Sequence, residues 1–544
     1  MADRSRRRLF FGSLLLLVLA GAAGWTVFAL STPRHLPQAP VPCAALGINL
    51  AGPCDWNTEL PFIDLMRFSR AWSPQQKGVP FGKGPAFEVD RNGYPLSLAE
   101  GTWAESPLLS FFGHKWPSGV YHVFYQGRGR LSFGASAKSV VSDEPGHLVV
   151  DLDSAKGDLH LSILATEIGN HVRDIHVIMP GFENSWRKNP WSPSFLDRWR
   201  GVKCVRFMDF MATNNSTIRT WSERPVIEDS TFAARGVPVE LLADLSNRLM
   251  ADPWVCIPHM ADDDYVRQFA KCLRDRVDPA LRVHIEYSNE VWNSGFQQNK
   301  YAAAQGMALG LAKEPWVAAW LYTSRRSVEI FRIFEEVFGG TRRLVRILPA
   351  QSGNLFMAKQ ILEFEGAARR ADAIAIAPYM GLVVGTEPTR YVPLTAGEVG
   401  GWGMDKLFEH LGAVVFPEAR KSMKEYRGLA VDSGLQLVAY EGGQHLVGVL
   451  GAENDATLTS LFLAANADPR MGALYSTYLD AWQEEGGMLF CHFSSVAKWT
   501  KWGSWGLMEF YDDNPADSPK FRAVRAWAEG LKSSKPAQKP APAP

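Results

Sequence analysis

Two stretches of the chain end an apolar run in a glutamate: Ile285-Glu286-Tyr287-Ser288-Asn289-Glu290-Val291-Trp292-Asn293 and Leu437-Val438-Ala439-Tyr440-Glu441-Gly442-Gly443. A carboxylate at the C-terminal end of a β-strand is where parallel α/β barrels keep their chemistry. Two carboxyls over one cavity, one protonated and one ionised and about 5–5.5 Å apart, are the minimum equipment for cleaving a glycosidic bond with retention. The glycines behind Glu441 let the chain turn sharply after a strand end. Asn289-Glu290 alone would equally suit the cap of a following helix, so the pair says more than either member. Glu286 lies four residues before Glu290, on the same side but deeper. It is expected to pair with a cation in the interior or to assist the site from below. Trp292 is placed to desolvate Glu290, whose proton must be held near neutral pH. The Asn289 amide is suited to the hydroxyl beside the reacting carbon.

The elements that must position these groups follow a regular rhythm from about residue 172. Strand-like runs at 175–179, 205–210, 254–258, 283–287, 344–348, 373–377, 436–440 and 488–493 alternate with helical patterns, among them 239–251, 265–277, 314–338 and 457–466. Eight strands alternating with helices predict an α/β fold, a (β/α)8 TIM barrel with enlarged loops. A doubly wound sheet is the alternative, but no Gly-x-Gly-x-x-Gly follows the first strand. Between 45 and 168 short alternating runs at 120–125, 129–133, 147–152 and 159–164, separated by turn clusters, predict an antiparallel β-sandwich. Asn92-Gly93 is a hairpin turn signal.

The predicted organisation is therefore a membrane anchor or signal peptide at 1–30, a Pro-rich linker at 31–44, a β-sandwich domain at 45–170, a barrel at 171–531 and a disordered tail at 532–544. Arg4, Arg6, Arg7 and Arg8 precede the uncharged run 9–30, which as a helix would span about 33 Å, enough to cross a bilayer. The basic flank stays on the cytoplasmic side, which exports the remainder to the periplasmic or extracellular face. Ala20-Gly21-Ala22-Ala23 leaves cleavage open. Cys43 and Cys54 flank a short loop and are candidates for a disulfide, whereas Cys204, Cys256, Cys272 and Cys491 read as buried thiols. Equal numbers of basic and acidic residues, 57 of each, argue against a nucleic-acid partner.

Asn289-Glu290 after the fourth strand and Glu441 after the seventh resemble the signature of clan A glycoside hydrolases. The likeness spans the barrel, about two-thirds of the chain, as a pattern of positions rather than extended identity; the N-terminal sandwich is not part of it. It implies that Glu290 is the general acid/base and Glu441 the nucleophile of a retaining glycosidase acting on a polysaccharide or oligosaccharide. It also makes Arg206, in the second strand, similar to the clan arginine that keeps the nucleophile ionised; a surface salt bridge to Asp209 is the other role open to it. Tyr379 occupies the strand-six place from which clan members present a hydroxyl to the nucleophile. His259 ends the third strand, where it would bind sugar hydroxyls or the acid/base, or cap a helix, and His492 sits in the eighth. No metal or organic cofactor is required.

Most of the 19 tryptophans are expected to fill core, but a number this high also suits a groove in which indole faces stack on pyranose rings. Trp221 and, in the eighth loop, Trp499, Trp502 and Trp505 are candidate sugar platforms. Asp262-Asp263-Asp264 reads as a helix N-terminus facing the macrodipole rather than a calcium site. A transglycosylase would use the same residues with a sugar hydroxyl in place of water. A non-catalytic carbohydrate-binding or scaffold barrel would bind ligand without turnover. A metal-dependent barrel hydrolase would need clustered His and Asp, and no His-x-His pair occurs.

Overall fold

The computed structural model describes residues 45–530. The expected membrane segment at 9–30, the Pro-rich linker with Cys43, and the tail at 532–544 lie outside the described residues. Among the described residues no helix is long and apolar enough to cross a membrane.

Eight parallel strands close into a barrel: β1 (Ala45–Asn49), β2 (Cys204–Arg206), β3 (Asp252–Ile257), β4 (Val283–Tyr287), β5 (Leu344–Pro349), β6 (Ala373–Ile376), β7 (Gln436–Ala439) and β8 (Leu489–His492). Closure is through β8 on β1, with Ala45 opposite Leu489 and Ile48 opposite His492. One expectation is corrected here. The run at 175–179 is not the first barrel strand; it belongs to Arg173–Ile178, an outer strand of an antiparallel sheet that pairs with Gly119–Gln126. The first barrel strand is Ala45–Asn49, paired in parallel with β2. The β-sandwich is therefore an insertion between β1 and β2 rather than an N-terminal domain starting at 45. Glu290 and Glu441 keep their places after the fourth and seventh strands.

Strand alternation decides what fills the barrel. In β4 the residues Val283, Ile285 and Tyr287 face the helices, while His284 and Glu286 point inward; in β3, Trp254 and Cys256 point inward. The interior sets small side chains, including Cys204, Cys256, Cys491, Ala373 and Ala375, beside the large Trp254 and Tyr440. Gly47 shares that space, where a Cβ would stand 2.4 Å from Cys491 Sγ. Helices Val239–Leu249, Asp263–Arg276, Pro315–Phe338, Phe416–Asp432 and Pro469–Glu484 cover the outside. Asp262 caps its helix by accepting from the Tyr265 N–H at 2.7 Å, and Asp263 pairs with Arg326, so the acidic triplet serves the helix start.

The insertion comprises two four-stranded antiparallel sheets. One runs Ser73–Gln76, Thr102–Leu109, Leu159–Thr166, Gly129–Ser132; the other Ala137–Glu144, His147–Leu152, Gly119–Gln126, Arg173–Ile178. Its buried residues and those outside the barrel strands form one continuous core. Past the barrel rim, Met380–Val384 and Gln444–Gly448 pair in parallel, and the Met380 N–H bonds the Gly443 carbonyl at 2.9 Å. That small ladder fixes the loop carrying Tyr379 against the loop carrying Glu441.

Candidate active site

The site is organised by Arg206, the last residue of β2, which is fully buried. A guanidinium has five N–H donors and no acceptor, and all five have partners here. Nε and Nη2 hold Glu286 at 2.9–3.1 Å, Nη1 reaches Asn49 Oδ1 at 3.1 Å and Glu441 Oε1 at 2.9 Å, and Nη2 reaches Asn289 Oδ1 at 2.8 Å. The alternative of a surface salt bridge between Arg206 and Asp209 is thereby excluded. Glu286 is the interior partner of that cation and also accepts from Trp254 Nε1 at 2.8 Å.

Glu441 stands at the end of β7, 6% exposed. Its second oxygen accepts from the Tyr379 hydroxyl at 2.9 Å. The turn behind it needs its glycines. A Cβ on Gly442 would lie 2.4 Å from the Phe490 ring, and Gly443 has φ +133°, in the region that favours glycine. Burial pushes the Glu441 carboxyl up, while Arg206 and Tyr379 pull it down.

Glu290 enters from the mouth of β4 on a backbone held at φ +41°, after Ser288 at φ +58°. A non-glycine residue there is strained, and such strain persists where the surroundings fix it. Its oxygens accept from Asn293 Nδ2 at 3.1 Å and, at the long distance of 3.4 Å, from the Tyr440 hydroxyl. Burial and the negative charge of Glu441 lift its carboxyl to about 7. The two groups titrate as a pair. Both oxygens of Glu441 accept from close donors, one of them charged, so the shared negative charge settles on Glu441 and the proton on Glu290.

The structure brings together Glu290, Glu441, Asn289, Arg206 and Tyr379. Asn289 accepts from Arg206 and donates to Asn214 Oδ1 at 3.1 Å. Trp505 belongs to the same rim: it stacks on His445, which in turn lies 5.4 Å from Tyr379. Trp292 is half-buried with its Nε1 enclosed and unpartnered. His259 is buried, packs edge-on against Tyr301, and has an unpartnered Nδ1; burial and the charge of Arg219 lower its ring to about 4, so it is neutral.

Two expectations are corrected. His492 shares its parity with Phe490 and points outward, against Tyr475 of the covering helix (Nε2 to hydroxyl, 3.3 Å), with no exposure. It supports the turn at Gly443 and is removed from the cleft. Trp221 is half-buried, with Arg224 over its ring at 4.3 Å and Tyr265 against its edge, which leaves packing as its role. Trp499 is likewise engaged, donating to the Gly506 carbonyl and lying under Lys520.

Several contributors went unrecognised in the sequence. Asn49 ties β1 to β7 and β8 through the carbonyls of Tyr440, Cys491 and His492 while accepting from Arg206. Tyr440 lies under the Arg206 guanidinium, 5.0 Å from its ring centre. His445 and Asp209 complete the rim. The available signals were the apolar run ending in Asn49 and the inward parity of Tyr440.

No protein-family model and no curated protein matches the sequence. Among solved structures, the chain is similar to a 4-O-α-L-rhamnosyl-β-D-glucuronidase from Fusarium oxysporum 12S (11% identity over 62% of this chain, TM-score 0.38) and spans 63% of that chain. It is also similar to the endo-β-1,4-mannanase from Thermotoga petrophila (11% identity, 64% of this chain and 73% of that one, TM-score 0.33). A third likeness is to a β-glucosidase from Thermotoga maritima (10% identity, 62% and 86%, TM-score 0.34). These neighbours are glycoside hydrolases, and likenesses this distant speak to neither the substrate nor the reaction of this chain.

Proposed function

We propose that the chain is a retaining glycoside hydrolase acting on a polysaccharide or oligosaccharide. The observation that carries this reading is the asymmetric carboxyl pair: Glu441 held by Arg206 and Tyr379, and Glu290 facing it with its proton retained up to about pH 7. Glu441 attacks the anomeric carbon as the bond to the leaving oxygen breaks, and the Glu290 proton passes to that oxygen. Glu290, now a carboxylate, takes a proton from water; the water oxygen bonds to the anomeric carbon and Glu441 departs ionised. Asn289 has one Nδ2 hydrogen beyond the bond to Asn214, available to the neighbouring sugar hydroxyl. The basic cluster and the apolar run at 9–30 support export to the periplasmic or extracellular face with a membrane tether.

The sign of the pH dependence follows from the acid. Glu290 works only while protonated, so kcat/KM is expected to fall about tenfold per unit above about pH 7. On the acid side it falls as Glu441 takes up a proton. A pH–rate profile rising steadily to pH 9 would contradict the assignment.

The reading is tested by incubating the full chain with a panel of polysaccharides and measuring new reducing ends, with Glu290→Gln as control. Release by the wild type alone is expected. Equal release by both proteins, or none from either, counts against hydrolysis by this pair.

A further inference from the structure

A cavity of about 790 Å³ opens between the loop after β1, the loop after β2 and the loop after β8, and it reaches towards the carboxyl pair through Asp209, which lines it and feels the charge of Glu441. Its size suits a ligand well beyond one small ion, since binding pockets run to about 300–1,000 Å³. Trp56 and Trp505 lie on its walls; Trp56 carries the Arg70 guanidinium over its ring at 5.4 Å and is still 56% exposed, which leaves indole surface for a sugar ring. Phe493 continues the apolar wall and packs edge-on against Trp505.

The polar groups in that cavity are unequal. Arg70 gives Nε to Asp55 Oδ1 at 2.6 Å, and Asp55, fully buried, keeps Oδ2 without a partner. Asp209 lines the same space, and among the described residues its carboxylate has no hydrogen bond or ion pair. The cation whose charge acts on it, Arg206, has committed every donor to other groups. The cavity therefore holds one cation against two carboxylates. Beneath it the charge of Arg206 is already matched by Glu286 and Glu441. Unpartnered carboxylate oxygens accept from sugar hydroxyls, whereas a ligand carboxylate would meet like charge.

Resting on the glycosidase reading, we propose that this cavity holds the glycan on one side of the scissile bond and that Asp209 is a specificity-determining residue, taking hydroxyls of a neutral sugar and disfavouring an acidic one. The substrate class is then a neutral glycan, with Trp56 and Trp505 as platforms and Asp209 as the selector.

The test measures binding to the full-length Glu290→Gln protein, which holds ligand without turning it over. The probes are cellohexaose, mannohexaose and galactohexaose, each beside its C6-carboxylated counterpart. Measurements are made at pH 8, because burial and the charge of Glu441 lift the Asp209 carboxyl to about 7 and it must be ionised. A neutral member is expected to bind at least about tenfold more tightly than its acidic counterpart. Adding Asp209→Asn should weaken the neutral ligand and narrow that ratio to near unity, with an unchanged thermal midpoint. Arg70→Gln, an independent variant, should widen the ratio. Equal or tighter binding of the acidic members, or a ratio indifferent to Asp209→Asn, overturns the proposal, as does binding of no pair. Wild-type turnover on the same pairs separates the two readings. Hydrolysis of acidic glycans alone leaves the glycosidase standing and removes the selector; selective binding without hydrolysis does the reverse.

Discussion

Replacing Glu441 by Ala is expected to lower kcat by at least about 10⁴-fold on every substrate, because in the proposed mechanism it removes the group that forms the covalent bond. Glu290→Gln is expected to behave differently. A leaving oxygen as basic as a sugar hydroxyl needs a proton in the transition state, whereas a nitrophenolate does not. Glu290→Gln should therefore lose most activity on a glycan while keeping much of the glycosylation rate on an activated aryl glycoside. Azide, which needs no general base, should accelerate breakdown of its glycosyl intermediate. In Glu441→Ala the space left by the carboxylate admits azide as a substitute nucleophile at the opposite face, giving a glycosyl azide of inverted configuration. The two variants are distinguished by measuring both substrate types with and without azide. If Glu441→Ala kept its rate on the aryl glycoside and Glu290→Gln lost it, the two roles would be exchanged.

The second large effect belongs to Arg206. Its side chain is fully enclosed and its five donors satisfy two carboxylates and two amides. Lysine keeps the charge but has only three donors on a tetrahedral head, so Arg206→Lys strands part of Glu286 and one or both amide oxygens. Each buried acceptor left without its donor costs about 1–3 kcal/mol. The thermal midpoint should fall by on the order of 5 °C. Catalysis suffers separately. Arg206 is the strongest influence holding the Glu441 carboxyl down, so weakening it lets burial dominate. The acid limb of the pH profile moves to higher pH, and kcat drops by on the order of 10²-fold even where the protein is folded. Calorimetry together with a pH profile checks both parts. A variant that lost stability with an unmoved acid limb would confine Arg206 to a structural role.

Seven of the eight barrel strands were legible because each is a short apolar run bounded by turns and followed by a helical pattern. The first was not. Ala45–Asn49 is a five-residue run directly after a Pro-rich stretch, and what makes it a barrel strand is parallel pairing with residues 204–206 and 489–492. Local pattern carries no record of partners that distant. The same gap made 175–179 attractive, since Ile175 and Val177 alternate inward in the sandwich as a barrel strand's residues would. The insertion followed from that substitution: once β1 precedes the sandwich, the sandwich must interrupt the barrel.

The site was legible where chemistry and strand ends coincide. Glu290 and Glu441 sit beside the residues that end their strands, and Arg206 and Tyr379 occupy strand ends on the same rim. Asn49, Asp209 and His445 were hidden because their importance comes from which loops converge. His492 was misplaced for a simpler reason. Leu489 and Cys491 fill the barrel interior, so alternation sends Phe490 and His492 to the helices; His492 is still inside its strand and obeys that parity, whereas Glu441 lies past the end of β7, where the turn frees it from the alternation.

The central claim is that the carboxyl of residue 441 becomes bonded to the sugar while residue 290 handles the proton. Proton NMR of the first product formed from a hydrolysed glycan, read before mutarotation, tests it most directly. With Glu441 as nucleophile, the new reducing end is expected to appear with the same anomeric configuration as the bond that was cut. First appearance of the opposite anomer would mean direct displacement by water, and Glu441 would not be a nucleophile.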